Sequence, residues 1–418
     1  MIKNLFLLLI VCFAINSSIN AQSGTTSPYS RFGIGDLKSV GSVRSAAMGN
    51  TGIGVRNSKR INLMNPVANA AIDSMSFLFD IGVDSKFSRY ETNKISEDNY
   101  SYSVKYVALA FPVTRWWSVN ANLKPYSEVG YEVTQAGSGS DEGSSYLYQG
   151  SGGINSVSLG NSFNLFGVSF GANLNYYFGS YSFIKQSTLN LSNTYTTEEQ
   201  YEQRVKDVCF DFGAQYNLKL KDKMDFTIGA IYRAPIKLGG TKDHNLYKAT
   251  TSTNPVKYLV YNESNDYGLK LPKKIGFGVS LRKKDKFLIA ADYSTEDWEN
   301  EEFISSNIAK FGKTSNISLG GEYTPDRYAI RGALKRISYR AGFRMSDTYL
   351  EVKGEKIKEM GFTFGFGIPL RRSFSTLNIG CEIGQKGTLD SGLIKENYFK
   401  FSVGVSLFEN WFRKLKYD

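Results

Sequence analysis

The residue types that carry most enzyme chemistry are scarce in this chain. It has 418 residues but only one histidine and three cysteines. A histidine-based triad or a multi-histidine metal site needs several such side chains that converge on one point. His244 stands beside Lys242 and Asp243 in a predicted loop, with no serine or aspartate constellation around it. We therefore expect no enzymatic activity, no cofactor and no metal; a barrel hydrolase that uses His244 is the weaker alternative.

Residues 1–21 have the pattern of a secretory signal peptide. Lys3 supplies the positive charge, Leu5 to Ile15 the apolar stretch, and Ile19-Asn20-Ala21 the small-residue cleavage site. This apolar run is shorter than the ~20 residues that a membrane-spanning helix needs. The sequence therefore predicts an exported protein.

Beyond residue 75 the dominant pattern is a two-residue alternation. From Phe399 to Leu407 every odd position is apolar and every even position is small or polar. The same pattern recurs from Val168 to Phe178 and from Phe362 to Ile368. A soluble sandwich alternates with its apolar face inward, whereas a membrane barrel turns its apolar face toward lipid.

Connection lengths favour the barrel, because short and long connections alternate strictly along the chain. This is the arrangement of outer-membrane barrels, with short periplasmic turns, long outer loops and both termini on the periplasmic side. The sequence therefore predicts an all-β transmembrane antiparallel barrel over residues 75–408, in the cell outer membrane of a Gram-negative bacterium. The fourteen predicted strands are 75–90, 100–112, 116–132, 145–160, 165–185, 201–219, 223–239, 271–283, 285–298, 314–324, 336–347, 360–369, 374–385 and 397–408.

Tryptophan and charge also sort by position. The four tryptophans fall at or just beyond predicted strand ends, where interfacial aromatic girdles lie: Trp116, Trp117, Trp298 and Trp411. The predicted short turns are basic and several long loops are acidic. The chain has 50 Lys and Arg against 39 Asp and Glu, and many of the basic residues lie in the short turns. Either attraction to anionic headgroups or ordinary turn chemistry explains the basic turns. We expect no nucleic-acid partner.

Two cysteines remain after removal of the signal peptide, and an exported chain with two cysteines invites a disulfide. The predicted strand phases place Cys209 and Cys381 on opposite barrel surfaces and on strands that are not neighbours. The sequence therefore predicts two free thiols.

Residues 22–74 lack the alternation and are rich in glycine and asparagine. Irregular segments of this length tend to be functional or disordered. Several apolar side chains here need burial, which favours a hatch, or plug, folded inside the barrel lumen over a flexible periplasmic arm. These side chains are Met48, Ile53, Ile61, Leu63 and Met64.

Four places in the chain resemble the outer-membrane long-chain fatty-acid transporter family, the FadL-like proteins. The first is the family's hatch pattern, a glycine-rich Met-Gly stretch followed by Asn-Pro-Ala. This chain departs from the second part of the pattern, where it reads Asn65-Pro66-Val67-Ala68. The others are a Tyr-Arg-Ala-Pro strand end, a Leu-Pro hairpin that closes with Asp-Trp, and the last third of the chain. The matching stretches are Ala47–Gly52 with Asn65-Pro66, Tyr232–Leu238, Leu271–Trp298, and Gly320–Tyr323 with Tyr398–Leu407.

The resemblance implies a fourteen-stranded barrel with an N-terminal hatch, a wall or hatch that opens, and a hydrophobic small-molecule ligand. The expected function is therefore an outer-membrane channel for uptake of hydrophobic small molecules such as long-chain fatty acids, and the alternative is a non-transporting barrel subunit of an outer-membrane secretion or assembly complex. Arg233 and Lys237 are candidate ligand contacts, by their position near a strand's outer end. The hatch residues that the resemblance identifies are Met48, Gly49, Gly52, Asn65 and Pro66.

The expected partners are outer-membrane lipid, the barrel-assembly machinery during insertion, and possible docking proteins in the outer membrane. The last strand presents an apolar comb that an insertion machine could pair with by strand addition. Residues 409–418 form a predicted periplasmic tail, and the large polar loop 240–269 is a predicted docking surface. The comb consists of Phe401, Val403, Val405 and Leu407.

Overall fold

The computed structural model describes residues 24–137, 143–189, 195–250, 256–299, 309–370 and 373–410. The predicted signal peptide, Trp411 and most of the predicted tail lie outside these residues. The part of the chain that is described forms a closed antiparallel barrel of fourteen wall strands, as the sequence predicts. None of its helices is long and apolar enough to cross a membrane.

The regular structure of the described residues comprises eighteen strand segments, one α-helix, α1 (Val43–Ala46), and short 3-10 helices at Pro28–Arg31, Pro66–Ala71, Lys221–Lys223, Ala333–Arg336 and Asp390–Gly392. Three wall strands are each built from two segments, β8 with β9, β10 with β11 and β13 with β14, and β1 belongs to the N-terminal segment. The strands are β1 Asp36–Leu37, β2 Ser76–Glu91, β3 Ser96–Pro112, β4 Trp117–Ala136, β5 Ser144–Leu165, β6 Val168–Leu189, β7 Tyr195–Lys219, β8 Met224–Arg233, β9 Ile236–Thr250, β10 Lys257–Leu271, β11 Lys274–Lys283, β12 Phe287–Asp297, β13 Ala309–Phe311, β14 Lys313–Tyr323, β15 Ser338–Val352, β16 Glu355–Pro369, β17 Thr376–Lys386 and β18 Lys395–Asn410.

The barrel closes where the last strand meets the first wall strand. β18 pairs with β2 without interruption from Lys395↔Glu91 to Asn410↔Ser76. Closure satisfies the backbone groups that an open edge would leave unpaired in lipid. The predicted tail thus begins later than expected, since Glu409 and Asn410 still belong to β18.

The alternation sorts side chains as a membrane barrel requires. In β16, Phe362 and Phe364 are exposed on the outer surface, while Thr363 between them is fully buried on the inner side. Apolar rings thus face the hydrocarbon region and small polar groups face the lumen. The insertion comb on β18 also faces outward, and its role in insertion stays a prediction.

The predicted outer loops are wrong in one respect, because most of them are strand extensions. β9 and β10 form a hairpin paired from Ile236↔Leu271 to Ala249↔Lys257, in a region predicted as loop. β15 and β16 meet at a two-residue turn in which Lys353 and Gly354 both have positive φ, the conformation of a tight hairpin turn. Above the membrane both faces of a strand meet water, so the apolar alternation that reveals strands disappears.

The prediction for Trp298 is also wrong. Its side chain is fully buried and its ring lies 5.1 Å from that of Tyr349, inside the barrel. Trp298 follows the last residue of β12 and takes the inward phase of that strand. Trp116 and Trp117 do lie at a strand end, at the turn between β3 and β4, where their rings stack at 6.4 Å.

Both described cysteines are free thiols, as predicted. Cys209 is buried inside β7, and Cys381 is half-buried on β17. We expect the mature protein, denatured without reductant, to react with a thiol reagent at both positions, and the folded protein to leave Cys209 unmodified. If the denatured chain reacted with the reagent only after reduction, it would contain a disulfide, and the prediction of two free thiols would be wrong.

Candidate functional site

The N-terminal segment, residues 24–75, lies inside the lumen against a floor of wall glycines. Gly320 of β14 and Gly342 of β15 are paired across the sheet, and the backbone of Met48 and Gly49 rests directly on them. A Cβ at Gly320 would collide with the Met48 carbonyl, and one at Gly342 would collide with the Gly49 amide. Glycine is therefore required for this close approach.

Wall side chains satisfy the backbone of the N-terminal segment. The Asp292 carboxylate accepts the Gly52 N–H at 2.6 Å and the Ile53 N–H at 2.8 Å. The Thr363 hydroxyl accepts the Gly49 N–H at 2.7 Å. Buried amides left without such partners would each cost ~1–3 kcal/mol. The wall therefore holds the segment at defined points instead of merely enclosing it.

All five residues predicted for the hatch lie in this segment and pack inside the barrel. Met48 and Asn65 are fully buried, and Gly49 and Gly52 donate the wall bonds described above. The Asn65 side chain donates to the Ile53 carbonyl at 2.9 Å and accepts the Val67 N–H, which caps the short helical turn that begins at Pro66.

A buried charge network also ties the segment to the wall. Arg44, on α1, donates from Nε and Nη2 to the two oxygens of Glu322 in β14, both at 3.0 Å. Arg340 of β15 donates to the same carboxylate at 2.7 Å. One carboxylate thus faces two guanidinium groups. Bidentate pairs of this kind are stronger and more directional than neutral hydrogen bonds.

A second ionic contact holds strand β1. Asp36 pairs with Lys386 of β17 and accepts the Thr25 hydroxyl at 2.8 Å. Burial raises the pKa of the Asp36 carboxyl, but the cations of Lys386 and Lys86 outweigh it and hold that pKa below its ordinary value. Asp36 is therefore ionised and keeps its pair at neutral pH.

Between the N-terminal segment and the wall lies a cavity of about 300 Å³. Its wall side is strongly charged, and most of these groups form ion pairs between neighbouring wall strands. The charged residues that line it are Asp36, Lys38, Asp84, Lys86, Lys105, Lys124, Asp211, Arg233, Lys274, Asp292, Glu296, Arg344, Glu359, Lys386 and Lys400. Apolar and aromatic side chains line the same cavity beside these charges, among them Leu63, Tyr126 and Tyr177.

The two predicted ligand contacts are not brought together. Arg233 lines the cavity, is 5% exposed, and is committed to Asp211 by bonds from Nε and Nη2. Lys237 is exposed on β9 and does not line the cavity. Their separation follows from the break at Ala234-Pro235, where β8 gives way to β9.

Toward the outer end of the lumen, an apolar cluster packs inside the barrel. Inward side chains from β4 to β10 and from β15 pack there with Trp298 and with Ile34 of the N-terminal segment. The buried members are Ile34, Val129, Ile154, Tyr177, Tyr181, Val205, Cys209, Leu238, Leu269, Leu271, Trp298 and Tyr349. The charged cavity adjoins this cluster, because Tyr177 and Tyr349 belong to the cluster and also line the cavity.

Among the described residues, the wall pairing is interrupted between β3 and β4. These strands pair only from Val107↔Leu123 to Pro112↔Ser118, so the outer part of β3 is bonded to β2 alone. A register shift at Lys105 bends β3, and Pro125 of β4 has no N–H to offer. Sequence reasoning missed this gap; Pro125 inside a predicted strand was the available signal.

The gap is partly filled from inside. Strand β1 pairs with β4 at Asp36↔Glu128 and Leu37↔Ser127, taking the edge that β3 leaves free. The Ser103 hydroxyl donates to Glu128 at 3.1 Å, a side-chain contact across the gap. Ser103 and Lys124 also line the charged cavity, so the cavity extends to this interruption of the wall.

Comparison with known proteins gives a family and a fold. The chain is similar in structure to the CymD monoaromatic hydrocarbon channel (13% identity, TM-score 0.60, 91% of this chain and 100% of that one). It is also similar to the Pseudomonas putida toluene transporter TodX (14%, TM-score 0.58, 91% and 100%) and to a Pseudomonas aeruginosa FadL homologue (11%, TM-score 0.56, 90% and 99%). No curated protein matches the chain. At these identities the likeness shows a FadL-type barrel fold.

The family model that matches is BamG, and the match covers residues 1–418. The chain therefore belongs to the BamG family.

Proposed function

We propose that this protein is a non-transporting barrel subunit of an outer-membrane assembly complex. The observation that carries the proposal is the filled lumen: a bonded N-terminal segment, a cavity lined in part by ion pairs, and an apolar cluster on its outer side. A lumen held shut by so many specific contacts serves stability and shape.

The energetics of the lumen support the same proposal. An apolar solute on its way through would replace water beside buried ions and separate pairs such as Arg233–Asp211 and Arg344–Glu359. Removing the partner of a buried ion typically costs ~3–5 kcal/mol. A passage for apolar molecules is instead expected to be lined mainly by apolar side chains.

The test is purification of the tagged protein from its own outer membrane in mild detergent, together with depletion of the protein. We expect recovery in a defined stoichiometry with a barrel-assembly component, and lower amounts of other outer-membrane barrels after depletion. A monomer whose depletion leaves the other barrels unchanged would overturn the proposal.

A second candidate function is uptake of hydrophobic small molecules, with long-chain fatty acids as the specific substrates that the FadL resemblance implies. The gap between β3 and β4 favours it, because a solute could pass between the lumen and the membrane there without crossing the whole wall. The similar channels CymD and TodX carry monoaromatic hydrocarbons and toluene by their names. The buried ion pairs that line the cavity argue against this candidate.

Filling the gap distinguishes the two candidates. Ser103→Trp places a large ring in the gap, and Val104→Trp places the same ring on the exposed outer side of β3 as a control. If the protein is a channel, uptake of labelled fatty acid or toluene should fall with Ser103→Trp and not with Val104→Trp. The assembly proposal predicts equal uptake in both variants and in a deletion strain.

A further inference from the structure

One sector of the barrel extends far beyond the level at which its neighbours end. β9 continues the line of β8 and pairs with β7 from Val205↔Gly240 to Tyr195↔Thr250, and β10 pairs with β9 over the same height. On the other side, β12 ends at Asp297, where its partner is Lys313 of β14. The hairpin β9–β10 therefore stands above the wall on the outer side of the membrane.

β10 is the last strand of this extension, and its second edge has no strand partner among the described residues. Its neighbour β11 pairs with β12 only from Lys274↔Glu296 inward, so β10 above Leu271 is bonded to β9 alone. The outermost stretch, Tyr258–Asp266, is exposed at every residue. An edge of nine residues is ~30 Å long, and its N–H and C=O groups that point away from β9 are available to pair with another strand.

The edge of β10 has one feature that disfavours further pairing, a register shift between Leu259 and Tyr261 that leaves Val260 as a bulge in the pairing with β9. It contains no proline, and it starts with a run of apolar side chains that are about half exposed: Tyr258 55%, Leu259 56%, Val260 51% and Tyr261 45%. Soluble surfaces rarely expose four consecutive large apolar residues without a partner. The lower part of the edge carries two carboxylates, Asp266 and Glu263. Glu263 accepts the Tyr261 hydroxyl at 2.6 Å and the Asn265 side-chain amide at 2.8 Å.

We propose that the outer edge of β10 is a docking strand for an extended segment of another cell-surface polypeptide. The unpaired backbone groups define the partner as a β-strand that continues the sheet. The apolar run calls for apolar side chains opposite Tyr258 to Tyr261, and the exposed negative charges of Glu263 and Asp266 call for basic side chains opposite them. This inference rests on the proposed role as a complex subunit, and it places a contact of that complex outside the membrane.

The experiment compares hydrogen exchange of single amides in native outer membranes and in the purified protein. In the purified protein we expect the amides of Tyr258–Asp266 that point away from β9 to exchange rapidly. In native membranes the same amides should be protected by a factor on the order of 10 or more. Blue native electrophoresis of the tagged protein then reports how much of it sits in a larger complex.

Two double variants on the edge and one double-variant control test whether the protection depends on this edge. Tyr258→Lys with Leu259→Lys blocks the apolar part of the edge, and Glu263→Lys with Asp266→Lys reverses its charge. Tyr100→Lys with Tyr102→Lys is the matched control, because these tyrosines are equally exposed, at 56% and 61%, on another outer strand. Heat-dependent mobility in SDS gels confirms that each barrel is folded. We expect both edge variants, and not the control, to lose protection in membranes.

Three results would overturn the inference. Slow exchange of these amides in the purified protein would mean that another part of this chain covers the edge. Protection that rises with the concentration of purified protein would mean that a second copy is the partner. Unprotected amides in membranes that still contain a stoichiometric complex would show that the complex forms elsewhere, which leaves the assembly role standing and removes the docking strand.

Discussion

Gly320→Val should unseat the N-terminal segment and open the lumen. The new side chain enters the space of the Met48 carbonyl and carbon, which are backbone atoms and cannot turn aside. Overpacking of this kind costs ~1–3 kcal/mol, which shifts a seated-to-unseated equilibrium by roughly 5- to 150-fold. Because the segment also carries part of the apolar cluster through Ile34, its displacement should loosen the outer closure as well.

The measurement is sensitivity of cells to a large antibiotic that an intact outer membrane excludes, with the variant replacing the native protein. Gly321→Val is the control, since the next residue of the same strand faces away from the segment and has space for a Cβ. We expect sensitivity for Gly320→Val only. Equal resistance of both variants, with both barrels inserted, would show that the segment does not depend on this floor.

Glu322→Ala should destabilise the protein more than any other single change in the charge network. It leaves both Arg44 and Arg340 buried without their carboxylate. Loss of the partner of a buried ion costs ~3–5 kcal/mol. Arg44→Ala should cost less, because Glu322 keeps its bond to Arg340 and only the tie to α1 is lost.

Thermal unfolding in detergent and limited trypsin digestion measure these two effects separately. We expect the larger drop in unfolding temperature for Glu322→Ala, and cleavage of the N-terminal segment in both variants. Equal stability of the two variants would contradict the arrangement of one carboxylate between two arginines.

The wall strands could be predicted from sequence because lipid imposes a strict pattern on them. Phe362 and Phe364 alternate with lumenal residues for that reason, and the register follows. The outer hairpin β9–β10 could not be predicted, because water meets both of its faces and no alternation is required. Trp298 was misplaced for a related reason: its position at a strand end is visible in the sequence, whereas its inward direction is set by the phase of β12.

The site was less accessible to sequence reasoning than the wall. The glycine and asparagine content of the N-terminal segment predicts a compact lumenal segment, but Asp292 and Glu322 look like ordinary lumen-facing residues of their strands. Only the fold shows that they hold Gly52, Ile53 and Arg44. An arginine inside a segment of small residues was the available signal, since a buried cation needs a partner.

The closed lumen is tested most directly by recording ion current through the purified protein in a planar lipid bilayer. The native protein should insert without producing steady conductance, and Gly320→Val should give open steps in the same bilayers. A native barrel that conducts continuously, with its N-terminal segment intact, would contradict the closed lumen on which the assembly role depends.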